Sequence, residues 1–212
     1  VVLPDTDTLL VFAAACVALY LAPGPDMLYI ASRSLGQGRR AGLLSCVGIA
    51  AGLLVHMTGA ALGLSTLLVL WPVAYAIVKW LGVAYLFYLG ARTLLARDPV
   101  RFDPAAPARD GAWRIVRQGF LVNLLNPKIA LFFLAFLPQF VDVARGAFAA
   151  QMFFFGLLFN AGGFLWIVLL ALGFGSLGQW LARRPGVWTW QRRITGGLLV
   201  GLALQLALSE RR

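Results

Sequence analysis

The chain has 212 residues, 61% of them hydrophobic and only 12% charged, with a mean hydropathy of +0.84. A soluble domain carries about 25% charged residues and keeps roughly a third of its surface exposed, so this composition excludes a water-soluble globule and points to a membrane protein. The net charge of +10 has no polar face from which to bind nucleic acid, and one His with two Cys excludes a disulfide scaffold or a Cys/His metal cluster.

Six apolar segments are predicted, at 9–31, 42–65, 72–91, 119–141, 147–173 and 194–209. A helix needs about 17–25 residues to cross about 30 Å of hydrocarbon, and most of the six reach that length. The expected fold is therefore all-α, a polytopic bundle forming a single transmembrane domain over 1–212. Asp5 and Asp7 precede the first segment, no basic residue does, and no clean cleavage signal follows, so a secretory leader is not expected.

The first segment is interrupted by APGPD at 22–26. Proline removes a backbone donor and clashes with the preceding turn. Pro23 and Pro25 are predicted to split the segment into two half-helices, with Gly24 taking the irregular angles between them and Pro25 suited to a first turn. The freed amides and carbonyls could bind a ligand or ion at the midplane. Asp26 comes next. A carboxylate at mid-span costs roughly 2.5–3.5 kcal/mol, so it faces a cavity, a pathway or a partner. Binding a proton or an ammonium is the functional reading, and capping the new helix is the structural one.

The connection SRSLGQGRR carries Arg33, Arg39 and Arg40. The second segment holds Gly42, Gly48, Gly52, Gly59 and Gly63, a spacing that lets helices approach closely and slide. His56 in its middle reads either as a proton relay or as a neutral ring bonded to a backbone carbonyl. The third segment opens on Lys79, which is expected to snorkel to the outer interface. The long polar connection at about 92–118 contains RDPVRFDPAAPARDGAW and marks the midpoint of the chain. Its prolines predict a loop or a short surface helix.

The fourth segment is interrupted at LLNPKIALFF. Asn123 and Asn126 are three apart and share a face. Pro127 matches the first break, and Lys128 follows it with a charge opposite to that of Asp26. Lys128 could snorkel, or the two charges could meet across the bundle and read a zwitterion. Gly156, Gly162, Gly163 and Gly173 punctuate the fifth segment. Asn160 beside them lines a polar path or joins helices.

Thirteen of the eighteen basic residues fall in the odd-numbered connections, which the positive-inside rule assigns to the cytoplasm, with both termini outside. Arg211 and Arg212 stand mildly against this. Trp71, Trp80, Trp113, Trp180, Trp188 and Trp190 sit near segment ends like an interfacial belt, and Trp166 lies inside a span. The two proline breaks, the two glycine-rich segments, and KWLG at 79–82 against RITG at 193–196 come in the same order in each half. Three segments per half predict an inverted repeat.

The run LAPGPDMLYIASRSLGQGRRAGLLSCVGIAAGLLVH and the run NLLNPKIALFFLAFLPQFV resemble the lysine exporter and homoserine/threonine resistance family of bacterial amino-acid exporters. The Ser34–Gly38–Gly42 step and KWLGVAYLFYLGARTL are similar to the family as well, and the match covers nearly the whole chain. This resemblance implies a six-helix inner-membrane carrier that exports amino acids on the proton gradient, is not an enzyme and needs no cofactor. The family's Pro-Gly-Pro-Asp element falls on Pro23, Gly24, Pro25 and Asp26, and its Asn-Pro-Lys element on Asn126, Pro127 and Lys128. The expected partners are an amino acid, protons and the lipid bilayer, and homo-oligomer formation is left open. With Asp26 as the one carboxylate well inside a span, the expected substrate is small and neutral, such as threonine or homoserine. The alternatives are a passive channel or scaffold and a thiol-relay membrane protein. The relay needs a cysteine in each half, whereas Cys16 and Cys46 both lie in the first.

Overall fold

The computed structural model describes residues 4–70, 72–95, 110–142, 145–182 and 185–208. Trp71, most of the predicted 92–118 connection with Arg97, Arg101 and Arg109, and Arg183, Arg184, Arg211 and Arg212 lie outside the described residues. The described secondary structure is entirely helical.

Helix α1 (Thr6–Leu21) starts at Asp5, whose Oδ1 accepts from the Thr8 amide at 2.7 Å, an N-cap. It stops at the proline break. Helix α2 (Pro25–Gln37) restarts with Pro25 in its first turn, bent by 51° from α1. Gly38, at φ 86°, turns the chain into α3 (Arg39–Leu70). Helix α4 spans Pro72–Leu95.

Helix α5 (Ala112–Leu124) begins inside the predicted loop. AWRIVRQG is amphipathic, with Ile115 and Gly119 buried and Arg114 and Arg117 outside, so the segment folds as a helix without being apolar enough to read as one. After the second break come α6 (Pro127–Leu131), a π-helical turn (Phe132–Phe136) and a 3-10 turn (Leu137–Phe140), together bent by 49° from α5. Pro138 has no amide for the ladder, and the backbone changes pitch just before it. Helices α7 (Phe148–Ala182) and α8 (Pro185–Leu208) complete the bundle. Helix α8 starts well before the expected 194, because the polar first turns lower the hydropathy without interrupting the helix.

Helices α3 and α7 are each long and apolar enough to cross a membrane, and each bent pair passes the same test together, as a broken span or a re-entrant loop. The apolar stretches of α4 and α8 are shorter, at Trp80–Leu95 and Arg193–Leu204. Leu10, Val47, Trp80, Leu121, Leu165 and Leu204 are exposed large apolar residues. So extended an apolar exterior suits lipid, not water. Trp113 and Trp190 are also exposed, as an interfacial belt requires.

Helix α3 packs against α5 and α7, while α4 packs against α8. The glycines of α3 divide into two sets. A Cβ on Gly48 would lie 2.1 Å from the Val116 carbonyl oxygen, and one on Gly52 would lie 2.8 Å from Asn123 Oδ1, so these two let α5 close on α3. Gly59 and Gly63 face open space instead. Gly48→Ala is therefore expected to lower stability by about 1–3 kcal/mol, the range for overpacking. Gly59→Ala is expected to leave it unchanged. Thermal unfolding in detergent compares the two.

Candidate functional site

The two broken spans meet at their breaks. Asn126, the N-cap of α6, accepts from the Lys128 amide through Oδ1 at 3.0 Å. Its Nδ2 donates to Asp26 Oδ2 at 3.1 Å. Asn123, in the last turn of α5, donates from Nδ2 to the same Asp26 oxygen at 3.0 Å. Both asparagines are buried, at 0% and 1% exposure, so neither amide has water as an alternative partner. Asp26 Oδ1 and Asn123 Oδ1 are left as buried acceptors without a hydrogen-bond partner. An unsatisfied buried acceptor costs about 1–3 kcal/mol. Asp26 borders a cavity, whereas Asn123 Oδ1 lies towards Gly52 of α3.

Lys128 does not form an ion pair with Asp26. The ion pairs among the described residues are Arg33–Asp110, Arg114–Asp110 and Arg145–Asp142. Lys128 Nζ instead donates to the carbonyls of Leu19 at 3.1 Å and Ala22 at 3.0 Å. The reason is local. In an unbroken helix the Leu19 carbonyl would accept from the residue at position 23, which is a proline with no amide hydrogen. Lys128 supplies the missing donor from the other half of the chain. Gly24 leaves room for it, since a Cβ there would lie 3.3 Å from Nζ.

His56 Nε2 bonds the Asn123 carbonyl oxygen at 3.2 Å, and its ring stacks on Phe133. The carbonyl can only accept, so Nε2 carries the proton. His56 thus buttresses the helix that presents Asn123 without touching Asp26. Asn160 is half-buried on α7 and is not among the partners of Asp26, Asn123, Asn126 or Lys128. Pro23, Pro25 and Pro127 set the breaks and bring no polar group to them.

A cavity of about 50 Å³, counted as the space open to the centre of a water molecule, adjoins this cluster. Asp26 and Lys128 stand at its polar end. Ile49, Leu53, Ile129, Phe159, Ile167 and Leu170 form most of an apolar wall, with Tyr20 and Trp166 completing it. A water needs about 10–15 Å³ by this measure, so the cavity holds a few waters. Tyr20 fixes its shape: its hydroxyl donates to the Phe159 carbonyl at 2.6 Å. Gly162 and Gly163 make space for the ring, because a Cβ on either would press on it at 3.0–3.2 Å. Trp166 Nε1 is buried and has no hydrogen-bond partner.

The segments on either side of the breaks are closely packed. Beyond the break on the α1 side, Phe12, Phe140 and Phe155 pack ring on ring at 4.8–5.9 Å. On the α2 side, buried Arg33 reaches α5. It pairs with Asp110 at 2.8 Å, donates to Gln118 Oε1 and lies over the Tyr29 ring, whose hydroxyl donates to the Ile115 carbonyl. Sequence reasoning used Arg33 only as a topology signal and missed this cluster. The available signal was Asp110 placed just before an amphipathic helix, with Arg33 two turns after Asp26.

A family profile described as LysE type translocator matches residues 17–210. The chain belongs to the LysE-type translocator family. It is thus a membrane transporter and not an enzyme. The leucine efflux protein of Salmonella typhimurium is 28% identical over 196 residues, 92% of each chain. The leucine efflux protein of Klebsiella pneumoniae is 27% identical over 198 residues, 93% of each. An uncharacterized membrane protein of Bacillus subtilis, YrhP, is 28% identical over 210 residues, 95% of this chain and 99% of its own. No solved structure matches this LysE-type chain.

Proposed function

We propose that this chain exports an aliphatic amino acid, leucine or a close analogue, across the bacterial inner membrane by alternating access in exchange for protons. The observation that carries the reading is the Asp26 carboxylate, with Oδ1 buried and unpaired, which stands with Lys128 at the polar end of a mostly apolar cavity. An α-ammonium supplies the hydrogen bond that Asp26 lacks. The carboxylate faces the first amides of α2, since Gly24 has no side chain to cap them. The branched side chain lies against Ile49, Leu53, Ile129 and Ile167. Relatives named as leucine efflux proteins support the same substrate class. The expectation of threonine or homoserine rested on a lone carboxylate, which fits any neutral amino acid; the aliphatic wall favours leucine.

At about 50 Å³ the cavity is too small for an amino acid in this state, so loading requires it to widen. Substrate ammonium and a proton compete for Asp26, which couples export to the proton gradient. Six crossings in two inverted repeats, with both termini outside, suit this cycle. The nearly equal bends of 51° and 49° support the repeat, as does a proline at the start of both α2 and α6. So does the reciprocal crossing of α4 and α8, where a Cβ on Gly90 would meet the Gly196 carbonyl at 3.0 Å and one on Gly196 the Gly90 carbonyl at 2.9 Å.

The test is flux from proteoliposomes loaded with the twenty amino acids plus homoserine under an imposed inward proton gradient, read by mass spectrometry. Saturable loss of leucine and its analogues that stops when the gradient collapses is the expected result. Selective loss of threonine or homoserine would overturn the substrate assignment. Unselective leakage from folded protein would favour a passive channel.

A further inference from the structure

Lys128 occupies a position that suits a free ammonium ion. Its Nζ lies on the carbonyls of Leu19 and Ala22, at the open C-terminal end of α1, where the helix dipole is negative. The same side chain borders the cavity that contains Asp26. A substrate ammonium approaching Asp26 therefore comes to a pole that is already filled by a cation on a tether. The tether is specific in its fit. Pro23 creates the unpaired carbonyl, and Gly24 lets Nζ approach it.

We infer that Lys128 is an internal stand-in for the substrate's ammonium, occupying the carbonyl pole of α1 in the empty carrier and displaced when an amino acid binds. The inference rests on the export reading above. An exporter must return empty after each release. On that return leg a proton neutralises Asp26 but cannot serve the carbonyls of Leu19 and Ala22, so a substrate-free site with both carbonyls bare is a poor intermediate. Lys128 fills the pole during that step. A carrier that moves loaded in both directions does not need it, since the substrate brings its own ammonium. Net efflux therefore depends on Lys128, and exchange of internal for external substrate does not.

The experiment uses the full chain in proteoliposomes with labelled leucine. Lys128→Ala is measured for net efflux into amino-acid-free buffer and for exchange against external leucine. Net efflux is expected to fall about tenfold or more, the scale of one lost charged hydrogen-bonding group, while exchange persists. Added methylammonium or ethylammonium is expected to restore net efflux of the variant by occupying the vacated pole. If net efflux and exchange fall together in folded protein, Lys128 is instead a substrate ligand or a structural cap, and the inference is wrong. If neither falls, it is also wrong. Gly24→Ala provides a second route should Lys128→Ala not fold. It crowds Nζ without removing it and is expected to lower the ratio of net efflux to exchange. Wild-type protein with no selective flux in either mode would instead remove the export reading itself.

Discussion

Asp26→Asn is expected to reduce leucine efflux from proteoliposomes by roughly 10–100-fold and to make the remainder insensitive to the proton gradient. The magnitude is that of a hydrogen bond to a charged group, about 1.5–3 kcal/mol, at about 1.4 kcal/mol per tenfold. The substitution is clean because an asparagine keeps one oxygen to accept from both Asn123 and Asn126, which now converge on Asp26 Oδ2. It loses the negative charge and the unpaired acceptor Oδ1. Unfolding in detergent should therefore change little while transport falls. Asp26→Ala would confuse the two effects by leaving both buried amides without a partner. Full gradient-driven flux in Asp26→Asn would show that Asp26 serves only to join the two breaks.

Asp110→Ala carries the largest expected loss of stability, about 3–5 kcal/mol, the cost of removing one member of a buried ion pair. The side chains of Arg33 and Asp110 are 7% and 5% exposed, so the stranded guanidinium has little access to water. Arg114 also pairs with Asp110, but its side chain is 62% exposed. Arg114→Ala is accordingly expected to cost about 0–1 kcal/mol. Thermal unfolding of the two variants in the same detergent separates them. Similar losses for both would mean that the Arg33 cluster is more hydrated than its burial indicates.

The breaks were legible because their cause is covalent. Proline cannot donate a hydrogen bond, so APGPD and NPK mark the interruptions whatever surrounds them. The meeting of Asp26 with Asn123 and Asn126 was partly legible, since polar residues inside apolar segments have few partners available. What the sequence did not disclose was which group satisfies which. Lys128 and Asp26 invited pairing by charge, yet Lys128 goes to the Leu19 carbonyl, which Pro23 deprives of an amide, and to the Ala22 carbonyl at the break itself. Backbone acceptors leave no mark in a residue pattern. The Arg33–Asp110 pair was hidden for a different reason. Arginine at a segment end usually indicates topology, and only packing reveals that this one is buried. The glycines of α3 looked equivalent by spacing, but the neighbouring helix α5 closes on Gly48 and Gly52 and leaves Gly59 and Gly63 uncovered.

The bonds that complete the first break have a consequence for how the protein is made. Lys128 lies 106 and 109 residues after the carbonyls it satisfies, and Asn123 and Asn126 lie 97 and 100 residues after Asp26. A ribosome adding about 5–20 residues per second takes several seconds or more to cover that distance. Throughout the interval the nascent first half holds a broken span with a bare carboxylate and unpaired carbonyls. It must wait at the translocation machinery, or in contact with water, until the second half arrives. The two halves are thus one cooperative unit of biogenesis, and a chain truncated before Lys128 is a natural substrate for membrane quality control.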